Sequence, residues 1–257
     1  MKASIARLFD LAGRAALVTG GSSGIGRAIA GVLADAGAQV VIAARQRQRV
    51  EQAVRELVAE GGMAEAETVD VADRASIAAL LRRLDDAGRT IDILVNSAGS
   101  NLRMPFEAIR DEDWDATLAA NLTGPFLLTR ALAPGMAARG WGRIVNVASQ
   151  QAIRAFGASG AYGVSKGGLV SLTRSTAERW SRSGVTCNAL MPGFVVTPLT
   201  AEASADPARV AAMAARTMIG RNGVPEDFRG AALLLASDAG AAITGQMLCV
   251  DGGFSAT

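Results

Sequence analysis

Residues 15–30 read AALVTGGSSGIGRAIA, and the fold turns on how that stretch divides. AALVT (15–19) is a short apolar run ending in a β-branched residue, the pattern of a buried strand. TGGSSGIGRAIA (19–30) follows at once and passes into an alanine-rich run of helical period. Glycines at a strand-to-helix junction permit a tight turn, a close backbone approach to a phosphate, and close packing of helix on strand. Gly20, Gly24 and Gly26 stand where these are needed, and the helix N-terminus would attract the anion. The spacing is G-x-x-x-G-x-G rather than the commoner G-x-G-x-x-G. Gly21 to Gly26 also fits the first half of a P-loop, but Arg27 and Ala28 stand where a lysine and a metal-holding hydroxyl belong. A dinucleotide is therefore favoured over a nucleoside triphosphate, with a plain turn as the alternative.

The alternation continues along the chain. QVVIA (39–43), AETVD (66–70), IDILVN (91–96), RIVNVAS (143–149), VTCNAL (185–190) and QMLCV (246–250) read as further strands. Helical runs are expected at 24–36, 46–60, 73–87, 112–119, 121–138, 161–182 and near 225–236. Apolar strands separated by helices imply a doubly wound α/β architecture, a parallel sheet of about seven strands with helices on both faces. No repeat, linker or low-complexity tract interrupts it, so residues 1–257 are expected to form a single dinucleotide-binding catalytic domain. The stretch 193–224 breaks the rhythm after a strand's C-terminal end, where open α/β sheets bind ligands. A substrate lid is expected there, with a packed two-helix excursion as the alternative.

Composition narrows the chemistry. Of 257 residues 50% are hydrophobic and 19% charged, an ordinary globular balance. The 26 basic and 24 acidic side chains are interspersed and leave +2, which gives nucleic acid no support as a partner. With no histidine and only Cys187 and Cys249, no metal site, histidine triad or disulfide framework is expected. Acid–base chemistry is left to Tyr, Lys, Asp or Glu. AALLLA (231–236) and similar runs fall far short of the roughly 20 residues that span a bilayer, so no membrane association is expected. MKASIARLFDLAGR, interrupted by Arg7 and Asp10, reads as a surface lead-in rather than a signal peptide, with the cytoplasm as the default location.

The end of the second strand bears on which dinucleotide is bound. IAARQRQR (42–49) has Ala44 where an acid could accept a ribose hydroxyl, followed by Arg45 and Arg47. Guanidinium without carboxylate suits a 2′-phosphate, so NADP(H) is favoured over NAD(H). The alternative is that these arginines belong to a solvated first turn of helix.

AYGVSK (161–166) holds the only tyrosine, four places before Lys166, so a helix carries both on one face. With these residues the chain resembles the short-chain dehydrogenase/reductase family over nearly its whole length. The resemblance rests on TGGSSGIG (19–26), NSAG (96–99), Asn121 in ANLTGPF, Ser149 ending RIVNVAS, Tyr162 and Lys166 as Y-x-x-x-K, PGFVVT (192–197) and VDGG (250–253). It implies a Rossmann fold and a catalytic group of Asn121, Ser149, Tyr162 and Lys166, with Lys166 also on the nicotinamide ribose and Asn121 holding a water. Cofactor contacts are implied for Gly20, Ser22, Ser23, Gly24, Ile25 and Gly26, for Arg45, Asp70 and Val71, and for Asn96, Ala98 and Gly99. Pro192, Gly193, Val195 and Thr197 complete that set with Tyr162 and Lys166. NSAG departs from the family's commoner NNAG, and Ser23 fills a position that is basic in many NADP-using relatives.

The chemistry gives the same roles a physical basis. A phenol of pKa near ~10 is a poor base at neutral pH, and an adjacent ammonium should draw that value down. Tyr162 would then exchange a proton with a substrate oxygen to which Ser149 donates. Gly163, Gly167 and Gly168 weaken the helix by roughly 0.8 to 1 kcal/mol each, which implies close packing there, in this family often by a partner's helix or the cofactor. A homotetramer is implied, with helices 121–138 and 161–182 at one interface and VDGGFSAT near another.

NLRMPFEAI (101–109), ANLTGPFLLTRALAPGM (120–136) and ITGQMLCVDGG (243–253) look most like gluconate 5-dehydrogenases and related sugar-acid or polyol dehydrogenases. The expected substrate is a small molecule bound at Ser149 and Tyr162, with Arg103 and Arg154 on rim loops to grip a carboxylate. A surface role is the alternative for both arginines. A 3-oxoacyl thioester reductase would share every catalytic motif. A non-catalytic dinucleotide sensor is the reading from another class, although such proteins can lose the tyrosine or lysine and both stand here.

Overall fold

The computed structural model describes residues 3–256; Met1 and Lys2 of the lead-in and Thr257 of the terminal phrase lie outside the described residues. In chain order the elements are α1 (Ala3–Leu8), β1 (Ala15–Thr19), α2 (Gly24–Asp35), β2 (Gln39–Ala44), α3 (Arg47–Ala59), β3 (Met63–Thr68), α4 (Arg74–Asp86) and β4 (Ile93–Asn96). There follow α5 (Asp111–Leu118), α6 (Gly124–Ala138), β5 (Gly142–Val147), α7 (Gly160–Trp180), β6 (Val185–Pro192), α8 (Ala201–Ser204), α9 (Pro207–Ala215), α10 (Arg229–Ala236) and β7 (Met247–Val250).

All seven strands join one sheet in the order β3-β2-β1-β4-β5-β6-β7, every pair parallel. This is the single-domain Rossmann architecture expected. Successive strand residues face opposite sides: Ala16 and Val18 pack with α2, α3 and α10, whereas Leu17 packs with α4 and α6. Because both faces are covered, β1, β4, β5 and β6 are buried nearly throughout, which is why they read as mainly apolar runs without alternation. The chain winds from β1 out to β3 and returns to β4, so the strand order reverses between β1 and β4. A crevice at the carboxyl ends of those two strands follows from that reversal.

Three local differences from the expectations have physical causes. β3 pairs Gln39↔Met63 through Ala44↔Thr68, earlier than AETVD, because MAEAET alternates as a sheet-edge strand does. Helix 121–138 does not start cleanly: Ala119–Thr123 forms a π turn between α5 and α6. Residues 193–224 contain two short helices, α8 and α9, and their ends are tied by a Val195↔Gly223 bridge and by Gly223 N–H donating to Phe194 O at 3.0 Å.

Candidate active site

The crevice is a cleft of about 550 Å³, within the range of small-molecule sites. One end is built from the β1–α2 turn. Gly20 has φ +70, and a Cβ there would lie 2.7 Å from Ala98 N; one on Gly26 would strike the Gly20 carbonyl. These two positions let β1, the start of α2 and the β4 loop meet. Thr19 Oγ1 fastens the same junction, donating to Val95 O and accepting from Ser97 N and Ala98 N. Ser23 sits at the N-cap of α2 without a side-chain capping bond, so the first N–H groups of that twelve-residue helix face the cleft uncapped. A phosphate supplies the acceptors these donors lack.

Gly20, Ser22, Ser23, Gly24, Ile25 and Gly26 all line the cleft, as do Arg45, Asp70, Val71, Ala98, Gly99, Pro192, Gly193, Val195 and Thr197. Asn96 does not. Its amide points into the protein and donates to Asn146 Oδ1 at 2.8 Å, so its expected cofactor contact is corrected to a cross-strand role. Of the two arginines expected at a 2′-phosphate, Arg47 is turned to solvent and paired with Glu51 at 3.2 Å. Arg49, in the first turn of α3, lines the cleft instead. Neither Arg45 nor Arg49 makes a hydrogen bond or ion pair among the described residues. Uncapped helix, glycine cradle and unpaired guanidiniums together fit a phosphorylated dinucleotide.

At the other end Ser149, Tyr162 and Lys166 line the same wall. Ser149 ends the β5 segment, and its Oγ accepts from Gln151 N at 3.2 Å and shares a hydrogen bond with Tyr162. Lys166 donates to Val147 O at 2.8 Å, with its Nζ 5.6 Å from the centre of the Tyr162 ring. Both side chains are buried. Burial pushes the phenol up to about 12, opposed by the Ser149 bond, and pushes the ammonium down to about 8. The expected lowering of the phenol by the lysine is thus outweighed: each charged form loses more by desolvation than the pair returns across that distance.

Asn121 is fully buried on the π turn and does not line the cleft. Its Oδ1 accepts from Ser100 N at 2.9 Å, and its Nδ2 donates to Ser100 O at 2.9 Å and Ser165 Oγ at 3.0 Å. With both amide atoms so engaged, the side chain is a clamp between the β4 loop and α7. The glycines of α7 meet the protein's own chain: a Cβ on Gly163 would lie 3.3 Å from Gln151 O, and one on Gly168 2.8 Å from Leu122. No partner helix is needed to explain them.

Neither Arg103 nor Arg154 lines the cleft. Arg154 Nη2 donates to Ser255 O at 2.5 Å, which ties it to the C-terminal segment. Arg103 Nη2 donates to Gly157 O at 3.1 Å at the rim. Ser100, Leu102, Leu199 and Thr200, which line the cleft, carried no motif signal. Among the described residues no cluster of His, Cys, Asp or Glu could hold a metal, and no helix is long and apolar enough to cross a membrane.

Residues 20–255 match a family model described as Enoyl-(Acyl carrier protein) reductase. The chain is 37% identical to gluconate 5-dehydrogenase of Gluconobacter oxydans over 248 residues, 96% of this chain and 97% of that one. It is 40% identical to D-threitol dehydrogenase of Mycolicibacterium smegmatis over 247 residues, 96% and 95% of the two chains. The crystal structure of a gluconate 5-dehydrogenase from Burkholderia cenocepacia in complex with NADP and tartrate superposes with TM-score 0.94 at 37% identity, covering 98% of this chain and 99% of that one. Fold and site define a nicotinamide-dependent oxidoreductase acting on CH–OH groups. The chain belongs to the short-chain dehydrogenase/reductase family.

Proposed function

We propose that the protein is an NADP(H)-linked dehydrogenase that interconverts a secondary alcohol and a ketone on a sugar acid or polyol, as gluconate 5-dehydrogenases do. The observation that carries this reading is one cleft running from the uncapped N-terminus of α2 to the Ser149–Tyr162 pair. The similarity to sugar-acid and polyol dehydrogenases over nearly the full length supports the substrate class.

The residues of the β1–α2 turn, with Arg45 and Arg49, would hold the phosphates, the arginines favouring the 2′-phosphate of NADP(H) over NAD(H). Asp70 and Val71 would flank the adenosine half; Pro192, Gly193, Val195 and Thr197 would border the nicotinamide half. When bound, the cofactor supplies or accepts the hydride. Tyr162 moves the proton: its phenol stays protonated through neutral pH, the state required to protonate an oxygen gaining charge as a ketone is reduced. Ser149 Oγ, anchored by Gln151 N–H, donates to that same oxygen. Lys166 orients the cofactor ribose from Val147, and Asn121 holds the loop of Ser100 against α7.

We further assign α8 and α9, in residues 193–224, as a lid over the substrate end, because Pro198, Leu199 and Thr200 at their foot line the cleft. A homotetramer would cover Phe126 of α6 and Val164 of α7, which stand 41% and 53% exposed. A cytoplasmic location accords with two free cysteines.

The test is NADPH-dependent reduction of 5-ketogluconate, compared with NADH and with an acetoacetyl thioester. Turnover of the ketogluconate that Tyr162→Phe abolishes without weakening NADPH binding is expected; an unchanged rate in that variant refutes the assigned proton route. Preference for the thioester would favour the second reading, a 3-oxoacyl thioester reductase, for which the exposed apolar Leu102 and Leu199 at the cleft speak.

A further inference from the structure

Residues 251–256, after β7, meet two segments that carry substrate-end residues of the cleft. One is the loop between Ser149 and Tyr162. The Phe156 and Phe254 rings stack with centroids 5.7 Å apart and planes 25° inclined, and Arg154 Nη2 donates to Ser255 O at 2.5 Å. The other is the return limb of the 193–224 excursion, whose foot supplies Leu199 and Thr200 to the cleft. The guanidinium of Arg216, the C-cap residue of α9, lies 4.2 Å over the Phe254 ring and 6.0 Å from the centre of the Phe156 ring. Ile219 N–H donates to Gly252 O at 3.2 Å. The packing is close: a Cβ on Gly252 would lie 2.7 Å from Ile219, and one on Gly253 2.7 Å from Met218. Asp251 braces the segment from within, accepting from Gly253 N at 3.0 Å and Ser255 N at 2.9 Å.

The two segments joined in this way hold little structure of their own. Every residue of α9 is exposed or half-buried, and α8 buries Ala203 alone. In the other segment Ala158 has φ +58 although it is not glycine, a conformation that persists only where the surroundings impose it. Segments with few buried contacts open at low free energy, so an external hold decides how they sit. Phe254, itself buried, is the ring both segments share, stacked on Phe156 and covered by a cation from the lid side.

We propose that Phe254 and Arg216 are positioning residues for the substrate: segment 251–256 is a strap that keeps the lid helices and the loop before Tyr162 in one mutual arrangement. The effect on turnover rests on the sugar-acid reading of the cleft, whereas the coupling of the two segments does not. Loosening the strap lowers the fraction of enzyme ready to bind, which weakens apparent affinity by that fraction and leaves the chemistry of the bound state unchanged.

Arg216 is exposed, so Arg216→Met removes the charge without opening the core. Hydrogen exchange without substrate should then quicken about 3- to 10-fold both in 201–215 and, across the strap, in 153–160. KM for 5-ketogluconate should rise by a similar factor, with kcat and NADPH affinity held within about twofold. Arg216→Lys, which keeps a cation over the ring, should restore most of both. Phe254→Leu should reproduce Arg216→Met, and the double variant should add little to either, because each breaks the same contact. Faster exchange confined to 216–223, or a fall in kcat or NADPH affinity as large as the rise in KM, overturns the strap. A parent that does not reduce 5-ketogluconate overturns the sugar-acid reading, and the exchange in 153–160 then decides the strap by itself.

Discussion

Lys166 reaches the backbone carbonyl of Val147, 2.8 Å away, at the end of β5 and two residues before Ser149. The bond fixes α7 against the strand end and buries the ammonium, whose pKa falls to about 8 from an ordinary 10.5. Between those values the unfolded chain binds more protons than the folded one, so this group makes stability rise with pH from about 8 to 10.5. Compared with Lys166→Met in urea unfolding, the parent should gain stability across that window, on the order of 3 kcal/mol in all. A pH-independent difference would show that the lysine is not depressed.

Cys187 gives the opposite slope. Burial pushes its thiol up to about 12, against hydrogen bonds with Thr176, Thr173 and Asn146. The folded protein keeps this proton where the unfolded thiol, near 9, has lost it, so stability falls with pH above about 9. Cys187→Ala should flatten that fall. A thiol-disulfide reagent should titrate Cys249 alone in the native protein and both thiols in denaturant; a fast-reacting Cys187 would contradict its burial.

At the cofactor end the arginines should separate by function. Arg45→Ala and Arg49→Ala are each expected to raise the Michaelis constant for NADPH roughly 10-fold, with a smaller effect on NADH, as loss of a charged contact to phosphate predicts. Arg47→Ala, whose partner is Glu51, should leave both constants unchanged. Equal effects on the two cofactors would remove the 2′-phosphate assignment.

Gly26→Ala sets a Cβ against the Gly20 carbonyl, with no flexible side chain to yield. It should destabilise the fold by roughly 1–3 kcal/mol and weaken NADPH binding. Gly230→Ala on α10 meets nothing within 4 Å and should stabilise by about 0.4–1 kcal/mol. Thermal melting with and without NADPH checks both signs.

Asn121→Ala strips the partners from the N–H and C=O of Ser100. Loss of roughly 1–3 kcal/mol is expected, together with a fall in kcat larger than any change in cofactor affinity. Recovery by Asn121→Gln would argue against a clamp of fixed length.

Much of the fold was legible because its central strands are covered on both faces and so read as mainly apolar runs without alternation. β3 was placed three residues late because an edge strand buries one side only, and the alternating glutamates of MAEAET hid it. The glycine turn and the tyrosine–lysine pair were legible because spacing on one element encodes them. Arg49 was missed, and Arg47 taken for it, because the helical phase that aims one inward and the other at Glu51 depends on where α3 begins. The partners of Asn96 and Arg154, Asn146 and Ser255, were not legible because they lie 50 and 101 residues away in sequence. The direction of the tyrosine shift was misjudged for a similar reason: sequence brings the lysine near but does not disclose how little water reaches either group.

The wide turn at Ala119–Thr123 gives the α5–α6 rod a phase slip. Each residue of an α-helix advances by about 100°, and the under-wound turn absorbs about one such step, so excising one residue there would let the rod close up as regular helix with its two halves still facing as before, and only the turn that carries Asn121 would be lost. The regularised rod would have a better hydrogen-bond ladder and a misaimed Asn121. Local helical regularity and the alignment of this site are thus set against each other, and a screen for thermostable deletions could select proteins that melt higher and turn over nothing.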